Sequence, residues 1–236
     1  MFLAISLTES QIVAASALQA QMSGWTITDR ALTALGERFP ESNREAVLLK
    51  VAAVNQLYGT YVYAVTRMAE HVAAVLKSAD TATGGDTLAD VALIERLAAL
   101  PKAPAQQSER KHVSFASKFA HFFIDRERFP IYDSYAEQMA AYHLGPKGRI
   151  TDLAHPYWAF VLNLHALRER AGLSCSAAEL DRYLWLAGLY RAWQRNPKAQ
   201  INAEVAQLFA SPPHAAAAQL AALLPASLAS AMPNGA

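Results

Sequence analysis

The sequence predicts an all-α protein, and three observations lead to that prediction. Apolar residues recur with helical spacing along most of the chain, and no alternating pattern of the kind that forms a half-buried strand persists. Only 10 of the 236 residues are glycine and alanine is abundant, which favours helix over sheet. With 53% hydrophobic and 17% charged residues, the chain has enough apolar material for a core.

Capping residues and breakers divide this pattern into helices. Thr8 caps the first helix, Ser42 or Asn43 starts the third, and Gly59 separates the third from the fourth. We expect helices over about residues 8–21, 28–39, 43–58, 60–77, 87–100, 114–124, 134–144, 155–171, 176–194 and 201–210. A loop around Gly84–Gly85 and a connector over residues 101–110 separate some of them.

The predicted organisation is one all-α domain over residues 1–210, followed by an Ala/Pro-rich tail over residues 211–236. Cys175 is the single cysteine, which excludes an internal disulfide and a cysteine-based zinc or iron–sulfur cluster. The short apolar N-terminus lacks the basic region of a secretory signal, and no apolar run is long enough to span a bilayer. We therefore expect a cytoplasmic protein with no membrane association.

The segment richest in chemistry is 114–123, Ser-Phe-Ala-Ser-Lys-Phe-Ala-His-Phe-Phe. As a helix, it places its four phenylalanines on one stripe, with Lys118 at the border of that stripe. The opposite side carries Ser114, Ser117 and His121. A lysine at such a border can lose part of its hydration, which favours the neutral, nucleophilic amine. Alternatively, Lys118 lays its stem on the phenylalanines and keeps its ammonium in water.

Asp133 follows the turn Phe129–Pro130 and opens the next helix, where Ser134 and Glu137 have the spacing of a capping box. A carboxylate at this position caps backbone N–H groups and is held ionised by the helix dipole. It can also stabilise positive charge at C1′ of a deoxyribose. An amine and a carboxylate that share an apolar pocket would supply the groups needed for imine chemistry at a sugar carbon.

Together, these residues resemble the signature of the helix-hairpin-helix DNA glycosylase superfamily, in its 8-oxoguanine glycosylase/AP-lyase type. In that family a hairpin ends in a catalytic lysine, and an aliphatic-proline-aliphatic segment leads to a catalytic aspartate at a helix start. Lys118 matches the lysine and Asp133 matches the aspartate. The resemblance covers about residues 40–195 and implies a multi-helix bundle of that fold.

A second segment, residues 51–58, resembles the family helix whose polar end fills the gap left by an extruded base. Asn55 and Gln56 match that position, although a polar pair before Gly59 is also typical of a solvated helix end. Basic residues surround the proposed hairpin: Lys102, Arg110, Lys111, His112, Arg126 and Arg128. The DNA-binding residues expected from the resemblance are Asn55, Gln56, Lys111, His112, Ser114 and Ser117.

The resemblance implies a DNA repair glycosylase with AP-lyase activity that excises a damaged base, such as an oxidised purine, from double-stranded DNA. Lys118 would attack C1′ to form a Schiff base, and Asp133 would stabilise the cationic sugar. This chemistry requires no metal and no cofactor, and we expect the protein to act as a monomer.

Two other interpretations stay open. A catalytically silent DNA-binding or protein-interaction module on the same fold is favoured by the absence of glycine from Phe115–Ser117 and by a net charge of only +1. An α-helical interaction protein unrelated to DNA would use the apolar helix around residues 183–186 as a dimer face, although that helix is more simply explained as core.

Overall fold

In a computed structural model, which describes residues 2–79, 87–102, 111–198 and 201–224, every regular element is an α-helix. The helices are α1 (Glu9–Ala20), α2 (Ser23–Arg38), α3 (Arg44–Tyr58), α4 (Val65–Ser78), α5 (Thr87–Ala98), α6 (Val113–Phe123), α7 (Ser134–Gly148), α8 (Pro156–Ala171), α9 (Ala177–Arg195), α10 (Ala203–Ala210) and α11 (His214–Leu223). The all-α prediction is confirmed. None of these helices combines the length and apolarity needed to cross a membrane.

Some predicted segments lie outside the described residues. These are the loop around Gly84–Gly85, most of the connector 101–110, and the part of the tail beyond residue 224. Within the tail, residues 214–223 form α11, whose Ala216, Leu220 and Leu223 are buried.

The chain folds as two compact units. Unit 1 comprises Met1–Thr26 and Asp133–Ala236, and unit 2 comprises Ile27–Tyr132. The first boundary between the units, after Thr26, falls within α2. Helices α3 to α6 belong to unit 2, and α1 and α7 to α11 belong to unit 1.

Unit 2 contains two helix pairs, α3 with α4 and α5 with α6, which contact each other. Helix α3 packs against α4 and α6, and α5 packs against α6 and α4. The apolar side of α3 is buried along its length, and it consists of Val47, Val51 and Val54. The end of α3 is sharp because Gly59 takes a left-handed conformation, with φ +55°, that glycine adopts without steric cost.

In unit 1, α7 packs closely against α9 at Gly188. A Cβ atom at this position would collide with the backbone oxygen of Tyr135, so glycine permits the first turn of α7 to lie against α9. Tyr183, Leu184 and Leu186 of α9 are buried in the same unit. These apolar side chains form the core of unit 1, so they are not available for the dimer face of the alternative interpretation.

Helix α2 begins at Ser23, five residues before the predicted start. Its first turn is capped from a distant part of unit 1, because Glu204 accepts hydrogen bonds from the Ser23 hydroxyl at 2.9 Å and the Gly24 N–H at 3.0 Å. Trp25 also stacks on Trp185, with ring centres 4.3 Å apart. Neither partner is near in sequence, so local capping signals do not reveal this start.

A buried hydrogen-bond network centred on His143 joins four segments of unit 1. His143 Nδ1 donates to the Ile5 carbonyl at 3.0 Å, and its Nε2 accepts from the Tyr183 hydroxyl at 2.9 Å. Gln11 Nε2 donates to the same hydroxyl oxygen at 3.3 Å and to the Leu223 carbonyl at 3.4 Å. This pattern requires a neutral imidazole, and burial lowers the pKa of His143 to about 4.

We predict that unit 1 loses stability in mild acid because of His143. Its pKa is about 4 in the folded chain against 6.5 ordinarily, so between these pH values the unfolded chain binds the additional proton. The free energy of unfolding is unaffected by protonation of His143 above about pH 6.5. It falls as the pH drops towards 4, by about 3 kcal/mol in total. Denaturant melts across this pH range measure the loss.

The matched variants are His143→Gln and His165→Gln, since His165 is an exposed histidine of the same unit. His143→Gln should flatten the dependence of unfolding free energy on pH, and His165→Gln should leave it unchanged. Equal slopes for the wild type and His143→Gln would contradict this assignment.

Candidate active site around Lys118

Helix α6, which carries Lys118, is buried on almost all sides. Its phenylalanine stripe faces the interior as predicted, with Phe115 and Phe119 almost inaccessible to solvent. The opposite side is also buried, because Ser117 and His121 are covered as well. Polar groups in such a position must find partners within the protein.

The segment after α6 supplies partners for two of these side chains. The Phe129 carbonyl accepts from His121 Nδ1 at 2.9 Å, and the Tyr132 N–H donates to Ser117 Oγ at 3.0 Å. Ser117 Oγ also donates to the Ser114 carbonyl at 3.2 Å. The segment 124–132 is thereby held along α6, and Tyr132, the last residue of unit 2, is fixed to the residue that precedes Lys118.

The amine of Lys118 lies in a small polar niche with an aromatic wall. The residue is 5% exposed, and its Nζ donates to Ser114 Oγ at 2.7 Å. The Tyr58 ring centre lies 5.8 Å from Nζ, and the Tyr58 and Phe122 ring centres are 5.5 Å apart. Tyr58 is the last residue of α3, so in unit 2 the end of segment 51–58 lies beside segment 114–123.

Asp133 lies in unit 1, where it forms the N-cap of α7. Its Oδ1 accepts from the Tyr135 N–H at 2.8 Å, so the predicted capping role is confirmed. Ser134 is the first residue of α7 and not its cap, which corrects the capping box expected from Ser134 and Glu137. Its catalytic role, and the pocket expected to be shared with Lys118, stay predictions.

Asn55 is engaged in holding the turn that follows α3. Its Oδ1 accepts from the Val62 N–H at 2.8 Å and the Thr60 hydroxyl at 2.9 Å, and its Nδ2 donates to the Val62 carbonyl at 3.1 Å. These bonds replace helical ones, which explains why α4 begins at Val65 and not at the predicted residue 60. Gln56, the next residue, is exposed.

The basic residues around α6 differ in their accessibility and pairing. Lys102 and Lys111 are exposed, and His112 is the partly exposed N-cap of α6. Arg126 pairs with Asp29 at 3.2 Å and Arg128 with Asp90 at 2.6 Å, so two of the predicted cations are neutralised within unit 2. Arg110 lies outside the described residues. The DNA-binding roles of Lys111, His112, Ser114 and Ser117 stay predictions.

Sequence reasoning missed a second buried lysine, Lys50 on α3. Its Nζ donates to the Glu41 carbonyl at 3.2 Å and lies 5.5 Å from the centre of the Phe123 ring. Burial lowers the pKa of Lys50, against the opposing charge of Glu41. The signal was present in the sequence, because Lys50 shares a helical face with Val47, Val51 and Val54.

No group of three or more potential metal-binding side chains occurs within residues 2–79, 87–102, 111–198 and 201–224. Around α6 the structure gathers an amine, hydroxyls, an imidazole and aromatic rings, together with the ion pairs of Arg126 and Arg128.

Residues 11–128 match the model of the family described as HI_0787_N, N-terminal domain. The chain belongs to this family. The matched range contains Asn55, Gln56 and Lys118 and ends five residues before Asp133. No curated protein and no solved structure matches the chain.

We predict that Asn55 stabilises the turn after α3 and that Gln56 does not. Asn55→Ala removes three hydrogen bonds and leaves backbone groups of Val62 without partners, so it should lower the free energy of unfolding by about 1–3 kcal/mol. Gln56→Ala, at the exposed neighbouring position, should change it by less than about 0.5 kcal/mol. Chemical denaturation and amide exchange at Val62 measure both effects. Equal stability of the two variants would show that the turn does not depend on the Asn55 side chain.

Proposed function

We propose that the protein is a DNA glycosylase with AP-lyase activity on a helix-hairpin-helix glycosylase fold, with Lys118 as the nucleophile. The observation that carries the proposal is the buried Lys118 residue, whose amine bonds the Ser114 hydroxyl and lies 5.8 Å from the centre of the Tyr58 ring. Loss of hydration favours the neutral form of an amine, and the neutral form is the nucleophile.

The partner of the amine distinguishes Lys118 from Lys50. The Glu41 carbonyl that binds Lys50 can only accept a hydrogen bond, so it always holds an N–H of the lysine. The Ser114 hydroxyl that binds Lys118 can accept from an ammonium or turn and donate to a neutral amine. The bond between Ser114 and Lys118 can therefore form with either protonation state of the amine.

In the proposed reaction, the neutral amine of Lys118 attacks C1′ of the damaged nucleotide. The new N–C1′ bond forms as the glycosidic bond breaks, and the base departs with the bonding electrons. The C1′–O4′ bond then breaks and O4′ takes up a proton, while the amine nitrogen loses one to a proton acceptor. The product is a Schiff base between Lys118 and the sugar. Removal of a C2′ proton then expels the 3′ phosphate by β-elimination, and water releases the lysine.

Two further residues have roles in this proposal. Asp133, at the start of α7, would stabilise positive charge on the sugar and assist proton transfer. The target base must leave the duplex before C1′ can be reached. The exposed Gln56 and the neighbouring Asn55 lie at the helix end to which the resemblance assigns the filling of the vacated stack.

A second candidate function is a catalytically silent DNA-binding or protein-interaction module. It is favoured by the number of polar groups near α6 that already have internal partners, among them Ser117, Asn55 and Arg128. In this case Lys118 is a structural residue whose amine donates a hydrogen bond to the Ser114 hydroxyl. DNA affinity without release of a base would identify this function.

We predict that borohydride traps a covalent adduct between the protein and a duplex that contains a damaged purine or an abasic site. Lys118→Arg should abolish the adduct, because a guanidinium keeps the charge but cannot form a Schiff base. Lys50→Arg is the matched control at the other buried lysine, and it should retain trapping. Denaturing gels with a panel of damaged duplexes measure the adduct.

Two outcomes would contradict the lyase assignment. One is the absence of any adduct with every duplex of the panel, and the other is an adduct that persists in Lys118→Arg. Trapping that is lost in Lys50→Arg and kept in Lys118→Arg would transfer the role to Lys50.

A further inference from the structure

The turn between α3 and α4 exposes an unusual amount of apolar side chain. Tyr61 is 65% exposed and Tyr63 is 85% exposed, and Leu57 at the end of α3 is about half exposed. Apart from Phe2 near the N-terminus, these tyrosines are the exposed large aromatic residues of the described chain. Leaving several large apolar side chains in water within seven residues is typical of an interaction site.

Tyr61 is also held in a backbone conformation that a tyrosine rarely adopts. Its φ is +54°, and within the described residues it is the one position other than glycine with a positive φ. A bulky side chain in the left-handed region costs free energy, and such positions persist where the surroundings enforce them. Asn55 enforces this one through its bonds to Thr60 and Val62 on either side. Two exposed rings are thus presented from a fixed loop.

The stretch of chain around this loop suits a polyanion. The sequence contains no acidic residue between Glu45 and Glu70, while the partly exposed Arg67 falls in that interval. An aromatic ring offers a flat face on which any base can stack, and base–aromatic stacking tolerates different sequences. Phosphates of the same strand would meet no carboxylate from this stretch of chain.

From this placement we infer that Tyr61 and Tyr63 form a stacking platform for bases of DNA that are unpaired or displaced from the duplex. The inference rests on the proposed function and deepens it, because it names the side chains that would stack on the bases next to the extruded nucleotide. The rings reach the bases from the turn that follows Asn55 and Gln56, while Lys118 acts at the sugar.

The test measures the dissociation constant of the full chain for a duplex containing an uncleavable tetrahydrofuran abasic site, by fluorescence anisotropy. Tyr61→Ala and Tyr63→Ala should each weaken binding about tenfold, and Tyr61→Phe and Tyr63→Phe should retain wild-type affinity, because stacking needs the ring and not the hydroxyl. Leu153→Ala, at a fully exposed apolar position in unit 1, is the control and should have no effect.

Tyr61→Asn separates binding from folding. Asparagine tolerates the left-handed region and the Tyr61 ring is largely exposed, so this variant should keep wild-type stability while it loses about tenfold in affinity. Unchanged DNA affinity in the alanine variants, or loss of affinity in the phenylalanine variants, would overturn the stacking platform.

The borohydride adduct separates failure of this inference from failure of the proposed function. If the wild type is trapped on damaged DNA and the tyrosine variants bind like the wild type, the platform alone is wrong. If the wild type shows neither an adduct nor DNA affinity but binds anionic vesicles or another protein through Tyr61 and Tyr63, both proposals are wrong.

Discussion

The burial of α6 is the constraint on which the rest of unit 2 depends. A helix with solvent on one side can leave serine, lysine and histidine in water, but Ser117, Lys118 and His121 are all covered. Each of them therefore needs a partner inside the protein, since an unsatisfied buried polar group costs several kcal/mol, about 1–3 in mutational data. The path of residues 124–132 follows from this need, because the chain returns along α6 to supply the Phe129 carbonyl and the Tyr132 N–H.

The same constraint gives Lys118 its chemical interest. A buried lysine next to aromatic rings would be unfavourable as an isolated charge, and Ser114 is the partner that the preceding turn of the helix provides. Tyr58 contributes the wall from the end of α3, so the niche depends on the same helix end that Asn55 shapes. The lysine niche and the exposed tyrosine loop are in this way two consequences of how α3 terminates.

Local signals in the sequence predicted the helices whose ends are set by nearby residues. Asn43 and Ser176 cap α3 and α9 with their own side chains, and both starts were predicted closely. The start of α2 depends on Glu204 and Trp185, and the start of α4 depends on side-chain bonds from Asn55 that compete with helix formation. Such partners are invisible to periodicity, which reports only the apolar face of an element.

The site was predictable to a similar degree. The aromatic stripe of α6 and the capping by Asp133 follow from spacing and from the chemistry of helix termini. The burial of Ser117 and the internal bonds of Asn55 could not be predicted, because they depend on a chain segment that folds back and on a turn conformation. The left-handed conformation of Tyr61 is a further example, since no tyrosine favours it by itself.

The most direct test is to identify the protein atom to which the sugar becomes covalently bonded. After reduction of the wild-type protein on abasic DNA, proteolysis and tandem mass spectrometry locate the modified residue. We expect a single deoxyribose-derived adduct on Nζ of Lys118. An adduct on Lys50, on the N-terminal amine, or spread over the exposed lysines would contradict it.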